Sequence, residues 1–212
     1  QMAEIMLRIE KVVKEYAPAL MMVVGDVNST FAAAITANKM GVKLAHIESG
    51  LRSNDRSMRE DINRLLTDDI PDYFFVTEQS GIDNLVNENK PSDAIFFVGN
   101  TMIDTLVAFE DKIKQDKVLS KLGITKHNYA LMTMHRPATV DFKEGLSKLI
   151  DIIDFITQSM HLVFPIHPRT TSKLESFGMK DRITSNKKLI LTDPLDYFSF
   201  QKLTSDSNFV IT

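Results

Sequence analysis

The sequence predicts an α/β chain made of two parallel-sheet domains. Three observations lead there. Short apolar runs recur and alternate with segments of helical spacing. Polar clusters follow those runs directly, at Gly25-Asp26, His46-Ile47-Glu48, His135-Arg136 and His167-Pro168-Arg169. Open α/β sheets bind their ligands at that strand-end edge. Finally, the rhythm stops across a lysine-rich stretch and then restarts.

Met2 to Tyr16 carries apolar residues at helical spacing and opens the chain as an amphipathic helix. Ala19 to Val24 is a short apolar run ending in Gly25-Asp26, read as a buried parallel strand. Ser29 to Met40 is helical, capped by Asn28 or Ser29 and closed by Gly41. Val42 to Ile47 is the next strand, and Glu48 to Arg56 a polar loop. Ser57 caps a helix running to about Thr67. Asp72 to Thr77, Glu78 to Asn87 and Ala94 to Val98 read as strand, helix and strand, and Thr101 to about Ile113 as a helix.

Asp111 to His127 is charged, with Lys112, Lys114, Lys117, Lys121 and Lys126. It reads as a solvated helix end and a linker rather than a phosphate patch. Tyr129 to Met134 then restarts the pattern as a strand. A helix over Phe142 to Thr157 places Leu146, Leu149, Ile150, Ile153 and Ile156 on one face. His161 to Ile166 is a strand, Ser172 to Phe177 a helix and Lys188 to Leu191 a strand. Tyr197 to Leu203 is a short helix and Asn208 to Ile211 the last strand. The expected organisation is a first domain over 1–114, a linker over 115–127 and a second domain over 128–212. Both ends look cut: the last strand is followed by a single residue, where a βα fold places its binding loops.

The 212 residues suffice for a core without disulfide or metal staples. Lysine and arginine number 25 against 28 aspartate and glutamate, a net charge of −3, so nothing argues for nucleic acid or an anionic membrane as partner. Cysteine is absent, which excludes a thiol nucleophile and cysteine-ligated metals and fits a reducing, cytoplasmic compartment. No apolar run is long enough to span a membrane.

Four places carry candidate chemistry. Asp26 sits where a strand becomes a helix, either as a helix cap or as a functional carboxylate beside free helix N–H groups. The surrounding residues form neither a dinucleotide fingerprint nor a phosphate-binding loop of the Walker type. Glu48 and Arg52 follow the second strand within His46-Ile47-Glu48-Ser49-Gly50-Leu51-Arg52. Glu60 and Arg64, four apart on one helix, form either a surface ion pair or a carboxylate oriented by an arginine. Three carboxylates gathered together can separate into acid and base. In the second domain, His135, Arg136, His167 and Arg169 close two strands and suit a diphosphate. An aromatic of the Asp193 to Phe200 stretch either fills the core or stacks on a nucleobase. No histidine pair at i,i+4 is present, and no metal is expected.

These stretches, taken in order, resemble the UDP-N-acetylglucosamine 2-epimerase family. Gly25-Asp26-Val27-Asn28-Ser29-Thr30 is similar to the family's G-D-x-x-S/T-T, and His46 to Arg52 to its H-V-E-A-G-L-R. Ser57 to Arg64 resembles S-M-P-E-E-x-N-R, Gly99 to Asp104 resembles G-N-T-x-x-D, and His135 to Asp141 resembles H-R-x-x-N-x-D. Arg59, Asp61, Ala138 and Thr139 depart from those patterns.

The resemblance implies a glycosyltransferase-B-like fold of two Rossmann-like domains facing a cleft, incomplete here at both ends. It implies that the first sheet lacks its leading strands. The implied reaction inverts C2 of UDP-N-acetylglucosamine to give UDP-N-acetylmannosamine, by elimination and re-addition of UDP, with no cofactor. Asp26, Glu48 and Glu60 fall on the family's catalytic carboxylates, Arg64 on its supporting arginine, His135 on its active-site histidine and Phe200 near the uracil. Arg52, Arg136, His167 and Arg169 complete the expected substrate contacts. The implied assembly is a homodimer that binds a UDP-sugar. The alternatives are a hydrolysing relative, an epimerase of a modified UDP-sugar, a glycosyltransferase of the same fold and a non-catalytic nucleotide-sugar binding module.

Overall fold

The computed structural model describes residues 1–137 and 139–212 in full, and Ala138 of the His135 to Asp141 motif lies outside the described residues. The chain divides into two compact units, Gln1–Thr105 and Leu106–Thr212. The first contains α1 (Met2–Tyr16), β1 (Leu20–Val24), α2 (Asn28–Lys39), β2 (Lys43–Ile47), α3 (Arg59–Asp68), β3 (Tyr73–Val76), α4 (Gln79–Asn87) and β4 (Ile95–Phe97). The boundary falls inside α5 (Thr101–Ala108). The second contains α6 (Glu110–Gln115), α7 (Val118–Leu122), β5 (Tyr129–Met132), α8 (Pro137–Val140), α9 (Lys143–Ser159), β6 (His161–Pro165), α10 (Pro168–Ser176), α11 (Lys180–Thr184), β7 (Leu189–Thr192), α12 (Tyr197–Asp206) and β8 (Phe209–Ile211).

Each unit holds one four-stranded parallel sheet, in the order β1-β2-β3-β4 and β7-β6-β5-β8. This is the α/β architecture expected from the alternating pattern. The β1–β2 register pairs Val24 with Ile47, so the residues after both strands emerge side by side.

In the first unit, Val23 and Leu44 pack with Ala34 and Ala37 of α2. Alanines there let the helix lie close on the sheet. The expectation that β1 is buried on both faces is corrected. Leu20, Met22 and Val24 share one face and are exposed, while Met21 and Val23 on the other face pack with α2. The last strand, β8, is an edge strand, beside β5, with Phe209 and Val210 exposed.

In the second unit, β5 is buried along its whole length. Ala130 and Met132 join Leu146, Leu149, Ile150 and Ile153 of α9 on one face. Tyr129 and Leu131 join Val118, Ile124 and Leu203 on the other. Tyr129 is fully enclosed and donates its hydroxyl to the Leu203 carbonyl at 2.7 Å. Residues 115–127, expected to be a linker, thus belong to this core: Val118 and Ile124 are the apolar anchors among the lysines. Two of the lysines are paired, Lys114 with Glu110 one turn earlier and Lys126 with Asp206 at the end of α12. The single helix expected over Thr101 to Ile113 is broken at Phe109, whose ring packs edge-on against Phe198 at 5.4 Å.

A buried carboxylate holds the residues after β2. Asp68, at the end of α3, has no exposed surface. Its oxygens receive Nδ1 of His46 at 2.6 Å, the Gly50 N–H at 3.0 Å and Nη1 of Arg52 at 2.7 Å. Arg52 extends the network to Glu88 through two further bonds at 2.8 and 2.7 Å. Nε2 of His46 meets the Gly25 carbonyl at 2.9 Å. The ring thus bridges the Asp68 carboxylate and the Gly25 carbonyl. Burial pushes the Asp68 carboxyl up. The His46 hydrogen bond and charge, the Gly50 N–H and the Arg52 charge outweigh burial and hold it below the usual carboxylate range.

Gly50 also packs directly on Gly81. A Cβ on Gly50 would stand 2.3 Å from the Gly81 carbonyl oxygen, and Gly50 has φ +80°. This contact lays the start of α4 against the loop that Asp68 holds.

Because the Asp68 carboxyl is depressed in the folded state, its stabilisation is complete above the unfolded value of about 3.9. That stabilisation is lost as pH falls through the lower folded value. Asp68→Asn leaves Arg52 without its buried counter-charge and weakens the bond to His46, and it should cost about 3–5 kcal/mol near neutral pH. Urea unfolding from pH 7 to pH 3 checks this. The gap between wild type and variant should narrow only at the acid end.

Candidate active site

In the first unit the site forms where β1 and β2 end. Gly25 has φ +71° and donates its N–H to the Ile47 carbonyl at 3.0 Å, turning the chain into α2. A Cβ on Gly25 would lie 3.6 Å from Oε2 of Glu48, so the Glu48 carboxylate stands beside this turn. Glu48 itself has φ +66°. A non-glycine residue in that conformation costs on the order of 1 kcal/mol and is held only by its surroundings.

Asp26, the next residue after Gly25, receives Nη2 of Arg64 on one carboxylate oxygen at 2.7 Å. It is not the cap of α2: Val27 occupies that position, without a side-chain cap bond, in place of the expected Asn28 or Ser29. The Arg64 and Asp26 side chains are 13% and 25% exposed, enough for a ligand to reach the carboxylate. Nε of Arg64 is buried without a hydrogen-bond partner among the described residues.

Glu60 lies one turn before Arg64 on α3 and is exposed. Arg64 turns to Asp26 rather than to Glu60, so the ion-pair alternative within the helix is not what forms. The structure therefore pairs Asp26 with Arg64 and sets the Glu48 carboxylate beside the preceding residue, Gly25, with Glu60 on the same helix as Arg64. Arg52, expected at a substrate, directs its guanidinium to Asp68, Glu88 and the Leu51 carbonyl, and its side chain is 7% exposed. Ser57 does not cap α3; Met58 occupies that place, and Ser57 bonds Asp55 instead.

Sequence reasoning missed the polar residues that α3 buries. Asp61 accepts the Ser53 N–H at 2.9 Å. Asn63 donates to the Asp26 carbonyl and to Oδ1 of Asn28, both at 3.0 Å. The available signal was the helical spacing of Asp61 and Asp68, polar residues on one face while Leu66 is exposed on another.

In the second unit, a cavity of about 230 Å³ opens at the ends of β5, β6 and β7. Thr133, His135 and His167 give it polar walls, and Pro165, Pro194, Leu195 and Phe200 give it apolar ones. The His135 and His167 rings stack at 6.0 Å. Nδ1 of His135 lies 2.6 Å from the Thr133 carbonyl, which only accepts. That nitrogen therefore carries a hydrogen, and Nε2 is left for a ligand. His167 caps α10, and its Nδ1 accepts the Arg169 N–H at 3.1 Å, which leaves the hydrogen on Nε2.

A second cavity of about 250 Å³ adjoins the first, lined by Thr133, Met134, His135, Arg136, Thr139 and Thr212. Arg136 is exposed at the start of α8, a helix not anticipated from the sequence. Arg169 is bound in two-pronged fashion by Asp141, whose carboxyl that hydrogen bond holds below its usual range. Arg169 thus joins the start of α10 to the segment between α8 and α9. Among the described residues no cluster of histidine and carboxylates is placed to hold a metal, and no helix is long and apolar enough to cross a membrane.

The two sites differ in chemistry. The first offers carboxylates and one arginine, suited to moving a proton. The second offers neutral and cationic donors next to flat apolar walls, suited to a nucleotide. The family model described as UDP-N-acetylglucosamine 2-epimerase matches residues 1–212. The UDP-N-acetylglucosamine 2-epimerase of Methanococcus maripaludis is 37% identical over 217 residues, covering 100% of this chain and 59% of that protein. The Methanocaldococcus jannaschii UDP-GlcNAc 2-epimerase in complex with UDP-GlcNAc and UDP is similar in structure. It has a TM-score of 0.87 at 34% identity, covering 99% of this chain and 59% of that one. The Neisseria meningitidis UDP-GlcNAc 2-epimerase bound to UDP-GlcNAc also has a TM-score of 0.87, at 26% identity, with 99% of this chain and 58% of that chain covered. The chain thus spans somewhat over half the length of the relatives it matches. With a match along its full length and a shared fold, the chain belongs to the UDP-N-acetylglucosamine 2-epimerase family.

Proposed function

We propose that the whole protein inverts C2 of UDP-N-acetylglucosamine and releases UDP-N-acetylmannosamine. The observation that carries this reading is the Asp26–Arg64 pair and the Glu48 carboxylate beside Gly25, at the ends of two paired strands. Inversion at C2 needs a base on one face of the sugar and an acid on the other. A carboxylate removes the C2 proton, the C–H electrons form a C1–C2 double bond, and the C1–O bond breaks to release UDP. A proton then returns to the opposite face of C2 as a UDP oxygen re-forms its bond to C1.

In this reading Asp26, Glu48 and Glu60 share the proton transfers, and Arg64 orients Asp26. His135 stands beside the departing UDP, and Nε2–H of His167, stacked on it, donates to the developing negative charge. His167 with Arg136 and Arg169 attends the diphosphate, and Phe200 with Pro194 and Leu195 receives the uracil. Arg52 acts indirectly, by holding the Glu48 loop to Asp68. Family membership supports a cofactor-free cytoplasmic homodimer, and the net charge of −3 accords with no nucleic-acid or membrane partner.

The test is turnover of UDP-N-acetylglucosamine by the full-length protein in D₂O. Deuterium should appear at C2 of the product. Full retention of hydrogen overturns exchange with solvent. Stoichiometric release of UDP and free N-acetylmannosamine selects a hydrolysing enzyme, and transfer to an added sugar without inversion selects a glycosyltransferase.

Glu60→Gln keeps size and removes the titrating group. Its loss should fall on turnover, by about 10²- to 10⁴-fold, with UDP affinity little changed. His135→Ala should weaken UDP binding by about tenfold, read by calorimetry, and lower turnover as well.

A further inference from the structure

Three successive backbone carbonyls at the end of β1 each receive a side-chain donor from a different element. The Val24 carbonyl accepts the Thr30 hydroxyl of α2 at 2.7 Å. The Gly25 carbonyl accepts Nε2 of His46, on β2, at 2.9 Å. The Asp26 carbonyl accepts the Asn63 amide of α3 at 3.0 Å. All three donors are buried: Thr30 is 5% exposed, His46 0% and Asn63 9%.

The turn lacks the usual local fastening, since Val27, which caps α2, makes no side-chain cap bond. What fixes it arrives from outside the turn. Asn63 uses both amide hydrogens, on Asp26 and on Asn28. His46 is itself held by Asp68, on the same helix as Asn63 and Arg64. The Asp26 residue is thus gripped at its carbonyl by Asn63 and at its carboxylate by the adjacent Arg64.

We propose that Thr30, His46 and Asn63 are positioning residues that set where the Asp26 carboxylate stands during proton transfer. The proposal rests on the reaction assigned above. None of the three needs to touch the sugar. Each removes a direction in which the turn could rock, and a displacement of about 1 Å at a reacting group costs on the order of 10²-fold in rate. Buried donors suit the task, because an unmade bond would leave a polar atom without water.

The experiment uses the full-length enzyme with Asn63→Ala and Thr30→Val. Alanine favours the helix at position 63, and valine keeps the shape of threonine, so both should fold. His46→Gln is a third variant, whose loss of fold would leave the other two decisive. Turnover should fall about 10- to 100-fold in each while KM stays within about threefold. Amide hydrogen exchange over 26–28 should rise about tenfold or more. In an Asp26→Asn background the same substitutions should lower turnover by less than about threefold, since they act through Asp26.

Unchanged turnover, unchanged exchange, a loss confined to KM, or a full additional loss in the Asp26→Asn background would each overturn the proposal. Wild-type enzyme that does not invert C2 of UDP-N-acetylglucosamine overturns the reaction instead. Hydrogen exchange over 26–28 then decides the positioning role alone, a rise sustaining it and no change ending it.

Discussion

Everything at the carboxylate site hangs on one buried anion. Asp68 lies at the far end of α3, yet it determines where the residues after β2 go. Its oxygens take the backbone of Gly50, the guanidinium of Arg52 and the ring of His46. Taking a carboxylate out of water is unfavourable, and only such a full set of charged and polar partners makes it tolerable. The result is specificity of position. Glu48 can occupy a left-handed backbone conformation because His46 before it and Gly50 after it are both tied to the same side chain.

This explains why the fold was legible in the sequence while much of the site's support was not. The α/β alternation, the two sheets and the strand-end placement of Asp26, Glu48, His135 and His167 follow from apolar runs and their polar ends. Helix α3 obeys a different rule. It buries Asp61, Asn63, Thr67 and Asp68 and exposes Leu66. An amphipathic reading assigns the apolar stripe to the interior, and here hydrogen bonding to neighbouring loops decides the inward face instead. Asp68 and Asn63 were invisible because their partners lie on loops and turns distant in the chain. Arg52 was legible as important, but its partners could not be read from spacing.

The second unit shows the complementary case. Its core was legible because β5 alternates between two apolar clusters and α9 presents one clean apolar stripe. The stretch around Val118 and Ile124 was masked by lysines, which dominate composition while two apolar side chains decide the packing. At the ligand edge, backbone groups settle the histidines. The Thr133 carbonyl and the Arg169 N–H fix opposite hydrogen placements on two stacked rings. One sequence pattern, a histidine after a strand, thereby yields two chemically distinct groups in one cavity.

The contact between Gly50 and Gly81 makes two distant codons a single hereditary unit. No residue is smaller than glycine, so enlargement at one position has no compensating reduction at the other. Descendants of this gene can diversify the loop after β2 only around this joint. Variation of this loop should therefore leave both glycines untouched. Libraries that randomise codon 50 or codon 81 would consist mainly of chains whose loop and α4 no longer meet.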